Sequence, residues 1–434
     1  MPQLSWQIDG WIILAGALCG VAAALLGNFL VLRRMSLLGD AISHAVLPGL
    51  AAAFLLTGER QGWLMFVGAA LVGVLTVVLT ELAKDFGRVD EGAAIGVVFT
   101  FMFALGLVMI VQAADRVDLD PGCVLYGAIE MTPPMDSTSI PRTIISLSVV
   151  TVINLLYVVV LYRPLKVTTF DAQLAHSQGI PVRLIHYSLA SLVAITSVAA
   201  FESVGNILVV AMFVVPPVTA WLWTDRLWLM IILSAIFAIL AAVLGHLSAI
   251  GLPALFGLPS TNTAGMMAVA GGGLLIFAAT FASRKGLLSR AYQSWRVSQR
   301  ILSEDLLGLL YRGHARGEKS FEVALLRKSL IAPSWLTWLA LLRLRRRGWV
   351  EIRGERIGLS ASGLAMAQNV VRSHRLWEQY LSAEAGLSEK LLHEGAESLE
   401  HYTDRELRER LNAETHAPAL DPHGKPIPPE ADAS

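Results

Sequence analysis

Charge is what this sequence has least of. Only 16% of its residues are Asp, Glu, Lys or Arg, against roughly 25% in soluble domains, and most of those lie after Ser283. The formal net charge is zero, so no bulk electrostatic attraction to nucleic acid follows. Cysteine is nearly absent. Cys19 falls inside the first apolar run and Cys123 in a polar loop, neither in a CxxC pair, so no disulfide between them is expected. The opening MPQLSWQIDG has no basic region before its apolar stretch, so the first run is expected to stay in the membrane rather than be cleaved as a signal peptide. There is no GxxxxGK[ST] phosphate loop, so this chain is not expected to hydrolyse ATP itself. There is no HExxH pair either, which argues against an intramembrane metallo-enzyme.

Apolar runs are abundant instead, with 55% of the 434 residues hydrophobic. A helix needs about 20 apolar residues to cross roughly 30 Å of hydrocarbon, and lipid cannot satisfy an open backbone. Nine segments qualify, near 11–32, 37–56, 63–82, 93–113, 144–162, 184–200, 205–223, 227–247 and 264–282. Alternate loops collect Arg33, Arg34, Lys84, Arg88, Arg163, Lys166, Arg183, Arg226, Arg284, Lys285 and Arg290 on one side, leaving Arg60, Arg116 and Arg142 on the other. The positive-inside rule makes the first side cytoplasmic. The expectation is a multi-pass protein of the cell (inner) membrane, N-terminus outside and C-terminal domain in the cytoplasm.

Ionisable residues inside spans are functional candidates by default. Asp40 and His44 in the second span are four apart and share a helix face, and His44 sits about 15 Å beyond Arg34, near mid-bilayer. Pro48 cannot donate to the His44 carbonyl, which is thereby released. A carboxylate, an imidazole and a free carbonyl suit Mn²⁺, Zn²⁺ or Fe²⁺ better than Cu(I). The competing reading makes Asp40 a helix cap and His44 a partner of a neighbouring helix. Glu202 reads as an interfacial carboxylate or an outer-vestibule group.

Three stretches carry a family resemblance: 27–49, which contains Gly39-Asp40 and His44-Ala45-Val46-Leu47-Pro48-Gly49; 170–180, Phe170-Asp171 through Gly179-Ile180; and 204–217, Val204-Gly205-Asn206 to Pro216-Pro217. Together they resemble the manganese/zinc/iron ABC-transporter permeases (ABC-3 type). The resemblance implies that Asp40 and His44 bind the transported metal, and that the segment bearing Asp171, Ala175 and Gly179 is the cytoplasmic helix coupling to an ATPase. It also implies partners: an ABC ATPase subunit, an extracytoplasmic metal-binding protein, and a second permease chain, identical or related. Gln173 departs from the acidic residue often found there, and the loop 248–263 is longer than usual.

Beyond the linker the sequence becomes soluble in character. Helices are expected at 303–312, 321–330 and 333–347, then a two-stranded hairpin over 348–360, which is a winged-helix outline. Further helices are expected at 361–384 and 388–400. On the last of these His393, Glu397, Glu400 and His401 form one stripe, and His374 and Glu378 form an i, i+4 pair on the helix before. A solvated charged face is the plain alternative. The segments His374–Glu378, His393–His401 and 421–428 are similar, in order, to iron/manganese-dependent repressors of the diphtheria-toxin-repressor type. That resemblance implies one metal site from His374, Glu378 and His393, and another from Glu397, Glu400 and His401 with Asp305. Gly308 stands where manganese-selective members carry a carboxylate.

The expected recognition helix, 332–342, offers Trp335, Thr337 and Trp338 rather than the Arg, Lys, Asn or Gln that read base edges. Weakened or lost DNA binding is therefore expected. The fold class expected is an all-α polytopic membrane domain followed by a soluble winged-helix and helical metal-binding domain. Its boundaries are 1–283, linker 284–300, winged helix 301–362, metal-binding and dimerisation helices 363–417, and a Pro-rich tail 418–434. The function expected is the permease of an ATP-driven divalent-metal importer with a fused metal sensor. The alternative is a membrane-tethered or released metal-dependent transcription regulator.

Overall fold

The computed structural model describes residues 5–35, 38–57, 63–114, 129–133, 140–329, 332–385 and 389–432. It divides into two compact units, Met1–Ser289 and Arg290–Ser434. Cys123 lies outside the described residues, as do the side chains of Asp40 and Glu202.

The first unit is helical: α1 (Trp6–Leu32), α2 (Leu38–Ala45), α3 (Leu47–Thr57), α4 (Trp63–Gly87), α5 (Glu91–Ala114), a 3-10 turn (Ile129–Met131), α6 (Arg142–Val160), α7 (Tyr162–Phe170), α8 (Ala172–Ser177), α9 (Val182–Val204), α10 (Asn206–Trp223), α11 (Leu227–Leu255) and α12 (Thr263–Phe281). Eight helices among the described residues are long and apolar enough to span a membrane: α1, α4, α5, α6, α9, α10, α11 and α12. The remaining expected span, 37–56, is divided into α2 and α3 at Val46. Pro48 explains the division, because it has no N–H for the His44 carbonyl four residues back.

Helix α1 is the hub, packing on α6, α9, α10 and α11. Its buried face is small, with Ala15, Gly16, Gly20, Ala22, Ala23, Ala24 and Gly27, which lets neighbouring backbones approach where lipid supplies no hydrophobic drive. The same device joins α11 to α12, where a Cβ on Gly245 would collide with the backbone of Met267. Gly245→Ala is therefore expected to destabilise the membrane unit by about 1–3 kcal/mol. A lowered midpoint in thermal unfolding of the purified protein would register it.

Several polar side chains inside the bundle reach one another across helices. Asn28 Nδ2 donates to Ser234 Oγ at 2.8 Å, and Asn154 Nδ2 to Thr196 Oγ1 at 2.9 Å. His186 Nε2 meets Glu81 Oε1 at 2.8 Å, and His246 Nε2 meets Asp9 Oδ1 at 3.0 Å. These contacts respect the alternation of loops. Arg33 reaches Thr168 and Thr169, Glu81 reaches His186, and Asp225 reaches Arg284 and Lys285, all among ends assigned to one side. Asp9 with His246, and Glu130 with the N–H of Thr263, join ends assigned to the other.

The second unit contains α13 (Leu287–Ala315), β1 (Phe321–Glu322), α14 (Val323–Ser329), α15 (Ser334–Arg346), β2 (Val350–Arg353), β3 (Arg356–Leu359), α16 (Ala361–Ala385), α17 (Glu389–Glu400) and α18 (Arg405–Glu414). The strands β2 and β3 are antiparallel, with Val350 opposite Leu359 and Arg353 opposite Arg356. Gly354, at φ +63°, opens the two-residue turn between them in a backbone region that glycine enters at no steric cost. Leu306, Leu307, Leu310, Leu326, Leu344, Val350 and Ile357 fill the core beneath.

Three features differ from the sequence expectation. The first helix starts at Leu287, so most of the stretch expected as a linker is helical. The pair Phe321–Glu322 adds a third strand alongside β3. And 418–432 is strapped onto α16. Arg372 Nη1 donates to the Pro428 carbonyl at 2.7 Å, Asn369 exchanges two hydrogen bonds with the Ala431 backbone, and Arg375 donates to the Pro426 carbonyl.

Candidate metal centres

In the second unit the ligand-type side chains converge. Helix α16 carries His374 and Glu378 on one face, and α17 lies against it carrying His393, Glu397 and Glu400. His374 Nε2, His393 Nδ1 and Glu378 Oε1 form a triangle with all three edges 3.1 Å. That spacing matches the edge of an octahedron or tetrahedron of ligands drawn at about 2.1 Å from an ion, roughly 3.0–3.4 Å.

A second group joins Asp305, Glu400 and His401. His401 Nε2 lies 3.3 Å from Asp305 Oδ1 and 3.7 Å from Glu400 Oε1. His374 links the two groups, because its other nitrogen, Nδ1, is 2.6 Å from Glu400 Oε2. Both groups border one cavity of about 190 Å³, which Gly308, Arg312, Glu397, Asp421 and His423 also line. Glu397 is exposed on its rim and joins neither three-residue group among the described residues.

Two contributions were not visible in the sequence. Glu304, 7% exposed, holds His401 Nδ1 at 2.8 Å. A carboxylate there fixes the ring and turns Nε2 toward the ligand group. Asp421 and His423 come within ligand distance of Glu378, although Asp421 Oδ1 already accepts the N–H groups of His423 and Lys425.

Electrostatics distinguish these residues from an ordinary charged surface. Burial presses the His374 imidazolium down, but hydrogen bonds from it to Glu378 and Glu400, with their charges, outweigh burial and hold its pKa near 9. For His401 burial is again opposed, by Asp305, Glu304 and Glu400, and the result is about 10. Burial would raise Glu378, yet its bonds with His374 and His393 bring it to about 2. Two protons thus occupy nitrogens that a cation would use, inside a carboxylate shell able to neutralise that cation. The donors are imidazole and carboxylate, a set suited to Mn²⁺, Fe²⁺ or Zn²⁺. Donor type and spacing both fit a divalent metal.

On the winged helix, Trp335 and Trp338 of α15 are 60% and 51% exposed while Thr337 is fully buried. Thr337 therefore faces the core and offers nothing to a base edge.

In the membrane unit His44 sits half-buried in the last turn of α2, its ring 5.7 Å from that of Phe99 and 5.8 Å from that of Phe103. Asn206, the first residue of α10, brings Nδ2 to 2.8 Å from His44 Nε2. Farther along the chain, Asp171 caps α8, its Oδ1 accepting the N–H groups of Gln173 and Leu174. Ala175 is wholly buried and Gly179 turns the chain at φ +75°. These three positions shape the short helix; Asp171 and Gly179 are exposed, as are Gln173, Leu174 and His176 and, at the end of α7, Phe170.

Comparison with known proteins follows the same division. The model of the ABC 3 transport family matches residues 7–281. That of the iron dependent repressor, metal binding and dimerisation domain matches residues 360–429. The manganese transport system membrane protein MntD of Bacillus subtilis (strain 168) is 42% identical over 298 residues, which covers 68% of this chain and 98% of that protein. The zinc transport system membrane protein TroD of Treponema pallidum (strain Nichols) is 35% identical over 372 residues, covering 82% of this chain and 97% of that protein. Among solved structures, PsaBC from Streptococcus pneumoniae in complex with Fab aligns with a TM-score of 0.54 at 30% identity, over 64% of this chain and 92% of that one.

Proposed function

Because the chain belongs to the ABC 3 transport family and carries a repressor-type metal-binding domain in the same polypeptide, we propose that it is the membrane permease of an ATP-driven importer of Mn²⁺, Zn²⁺ or Fe²⁺, fused to a cytoplasmic sensor of the imported ion. The observation that carries the reading is this pairing. A permease whose relatives carry manganese and zinc is joined to a cluster whose donor atoms lie 3.1 Å apart.

Asp40 and His44 bind the cargo within the broken second span. The break at Val46 supports this role, since it frees backbone carbonyls beside His44 at membrane depth, which is tolerated only where they are buried in protein or line a cavity. Energy comes from a separate ATPase subunit docking on α7 and α8, with Phe170 and Leu174 as the contact groups. An extracytoplasmic binding protein delivers the ion, and a second permease chain completes the pathway. The N-terminus lies outside the cell membrane and the sensor lies in the cytoplasm. The experiment that tests the permease reading is metal accumulation by cells expressing this chain with its ATPase, as wild type and with the Asp40 and His44 ligands removed.

In the sensor, His374, Glu378 and His393 would hold one ion, and Asp305, Glu400 and His401 another, with Glu397 at the mouth. A bound cation supplies there the positive charge that the two imidazolium protons supply in its absence. His374 and His401 must each give up a proton before they ligate. At pH 7 both lie below their pKa values of about 9 and 10, so metal affinity is expected to rise with pH, by up to about tenfold per unit for each proton displaced, and to level off above pH 9–10. Calorimetric titration in buffers of different ionisation heat, using the whole protein, would measure up to two protons released per sensor.

The metal-free fold should respond in the opposite sense. A histidine whose folded pKa is raised lends stability in full below its unfolded value of about 6.5 and loses it as pH climbs through the folded value. The metal-free sensor therefore weakens toward pH 9–10, where metal binding is strongest.

A further inference from the structure

The contact between Asn206 and His44 is chemically one-sided. Two nitrogens face each other at 2.8 Å, and an amide nitrogen can only donate. The Nδ2–H group therefore points into the lone pair of His44 Nε2, and the ring proton sits on Nδ1. The other end of the same amide has nothing. Asn206 is 4% exposed, and its Oδ1 is buried without a hydrogen-bond partner.

An amide in which the nitrogen is engaged and the oxygen is orphaned has a cheap alternative. A half-turn about the last side-chain bond exchanges O and N in nearly the same volume. Nothing rewards that turn while Nε2 needs a donor. A divalent cation arriving at His44 reverses the preference, because it takes the Nε2 lone pair and repels the N–H group. After the turn, Oδ1 stands where Nδ2 stood, at the same 2.8 Å from Nε2. That is close to the roughly 3.0 Å separating adjacent ligands around an ion at about 2.1 Å. The backbone favours a fixed post at this point: Gly205, at φ +88°, breaks the chain between α9 and α10 and makes Asn206 the first residue of its helix, which packs against the helix that carries His44.

We propose that Asn206 is an oxygen ligand of the transported cation, held in reserve by its hydrogen bond to His44. This rests on the reading of His44 as a cargo ligand and adds a donor 162 residues away in sequence. The addition matters for selectivity, since a neutral carbonyl-type oxygen favours Mn²⁺ over Zn²⁺ relative to a second nitrogen.

The test is initial uptake of Mn²⁺ and Zn²⁺, supplied singly and together, in cells expressing the chain with its ATPase. The variants are Asn206→Leu, Asn206→Asp and His44→Ala, each normalised to its abundance in the membrane. Asn206→Leu should lose about tenfold or more in uptake. Asn206→Asp, which keeps an oxygen in place, should retain transport within about threefold of wild type and raise the Mn²⁺-to-Zn²⁺ ratio. If Asn206→Leu fails to reach the membrane, Asn206→Ser, which withdraws the oxygen without adding apolar bulk, takes its place with the same expectation. Full uptake by Asn206→Leu or Asn206→Ser beside a dead His44→Ala would overturn the inference and leave the cargo reading standing. Equal losses in the leucine and aspartate variants, with an unchanged metal ratio, would also overturn it, because a packing role predicts that pattern. Full uptake by His44→Ala would remove the cargo reading itself and this inference with it.

Discussion

Alanine at Asp40 or at His44 is expected to reduce metal accumulation to the level of cells lacking the transporter. The reason is the cost of a bare divalent ion in the bilayer. Even a single side-chain charge at the membrane centre costs about 2.5–3.5 kcal/mol on insertion scales, and only close ligands offset such a penalty for a doubly charged ion. His44 is the described ionisable group at the break in the second span, half-buried and walled by Phe99 and Phe103, so little else can replace it. Loss of even an outer-shell partner costs roughly 10–100-fold in metal affinity, and loss of a direct ligand should cost at least that. The measurement is elemental analysis of metal-starved cells expressing this chain with its ATPase. The element that rises in wild type and not in either variant names the cargo. If no element rises although the complex assembles, import is the wrong function.

A second large effect is expected at the other end of the chain. His374→Gln combined with Glu400→Gln should free uptake from inhibition by internal metal, moving the half-inhibitory concentration upward by about tenfold or more. These two residues are chosen because they touch both ligand groups: His374 faces Glu378 and His393 through one nitrogen and Glu400 through the other. Glutamine keeps the hydrogen-bonding capacity and volume of each site while removing the charges that hold the imidazolium and would neutralise a cation. The readout is the rate of metal entry at graded preloading of the cell. Feedback that survives the double substitution would show that regulation, if any, lies elsewhere in the chain.

Much of the architecture could be read directly from residues. The eight long spans follow from runs of apolar side chains that only a helix can carry through lipid, and the interruption of 37–56 is signalled by Pro48. The ligand cluster was legible where helical spacing alone aligns side chains: His374 with Glu378, and His393 with Glu400 and His401. It was not legible where packing brings distant segments together. Nothing near Glu304 says that it will hold His401, 97 residues away, and nothing near Asn206 points to His44. Asp421 and His423 lie in a segment that resembles the repressors, but nothing in their spacing says that they come beside Glu378. Local signals were also weak for β1, two residues long and stabilised by pairing with β3. For α18 there was a signal, Asp404, whose side chain caps the helix by accepting the Leu407 N–H, but the helix it starts is largely polar. Asp171, Ala175 and Gly179, proposed to couple to an ATPase, form a different case. The pattern was recognisable, and the structure adds what each residue does locally: Asp171 caps the helix, Ala175 is buried beneath it, and Phe170 and Leu174 are exposed beside Asp171 and Gly179.

The strap formed by 418–432 across α16 has a consequence for how the molecule is made. Chains fold from the N-terminus as they are synthesised, so residues 1–289 can enter the membrane while the segment that brings Asp421 beside Glu378 is still inside the ribosome. Arg372, Arg375 and Asn369 find their carbonyl and amide partners only after nearly all of the polypeptide has emerged. Each new copy therefore passes through an interval in which the membrane unit is whole and the ligand cluster of the second unit is not. A message or protein cut short within the last few dozen codons would prolong that interval indefinitely, leaving a complete membrane unit joined to a metal-binding domain that lacks its strap.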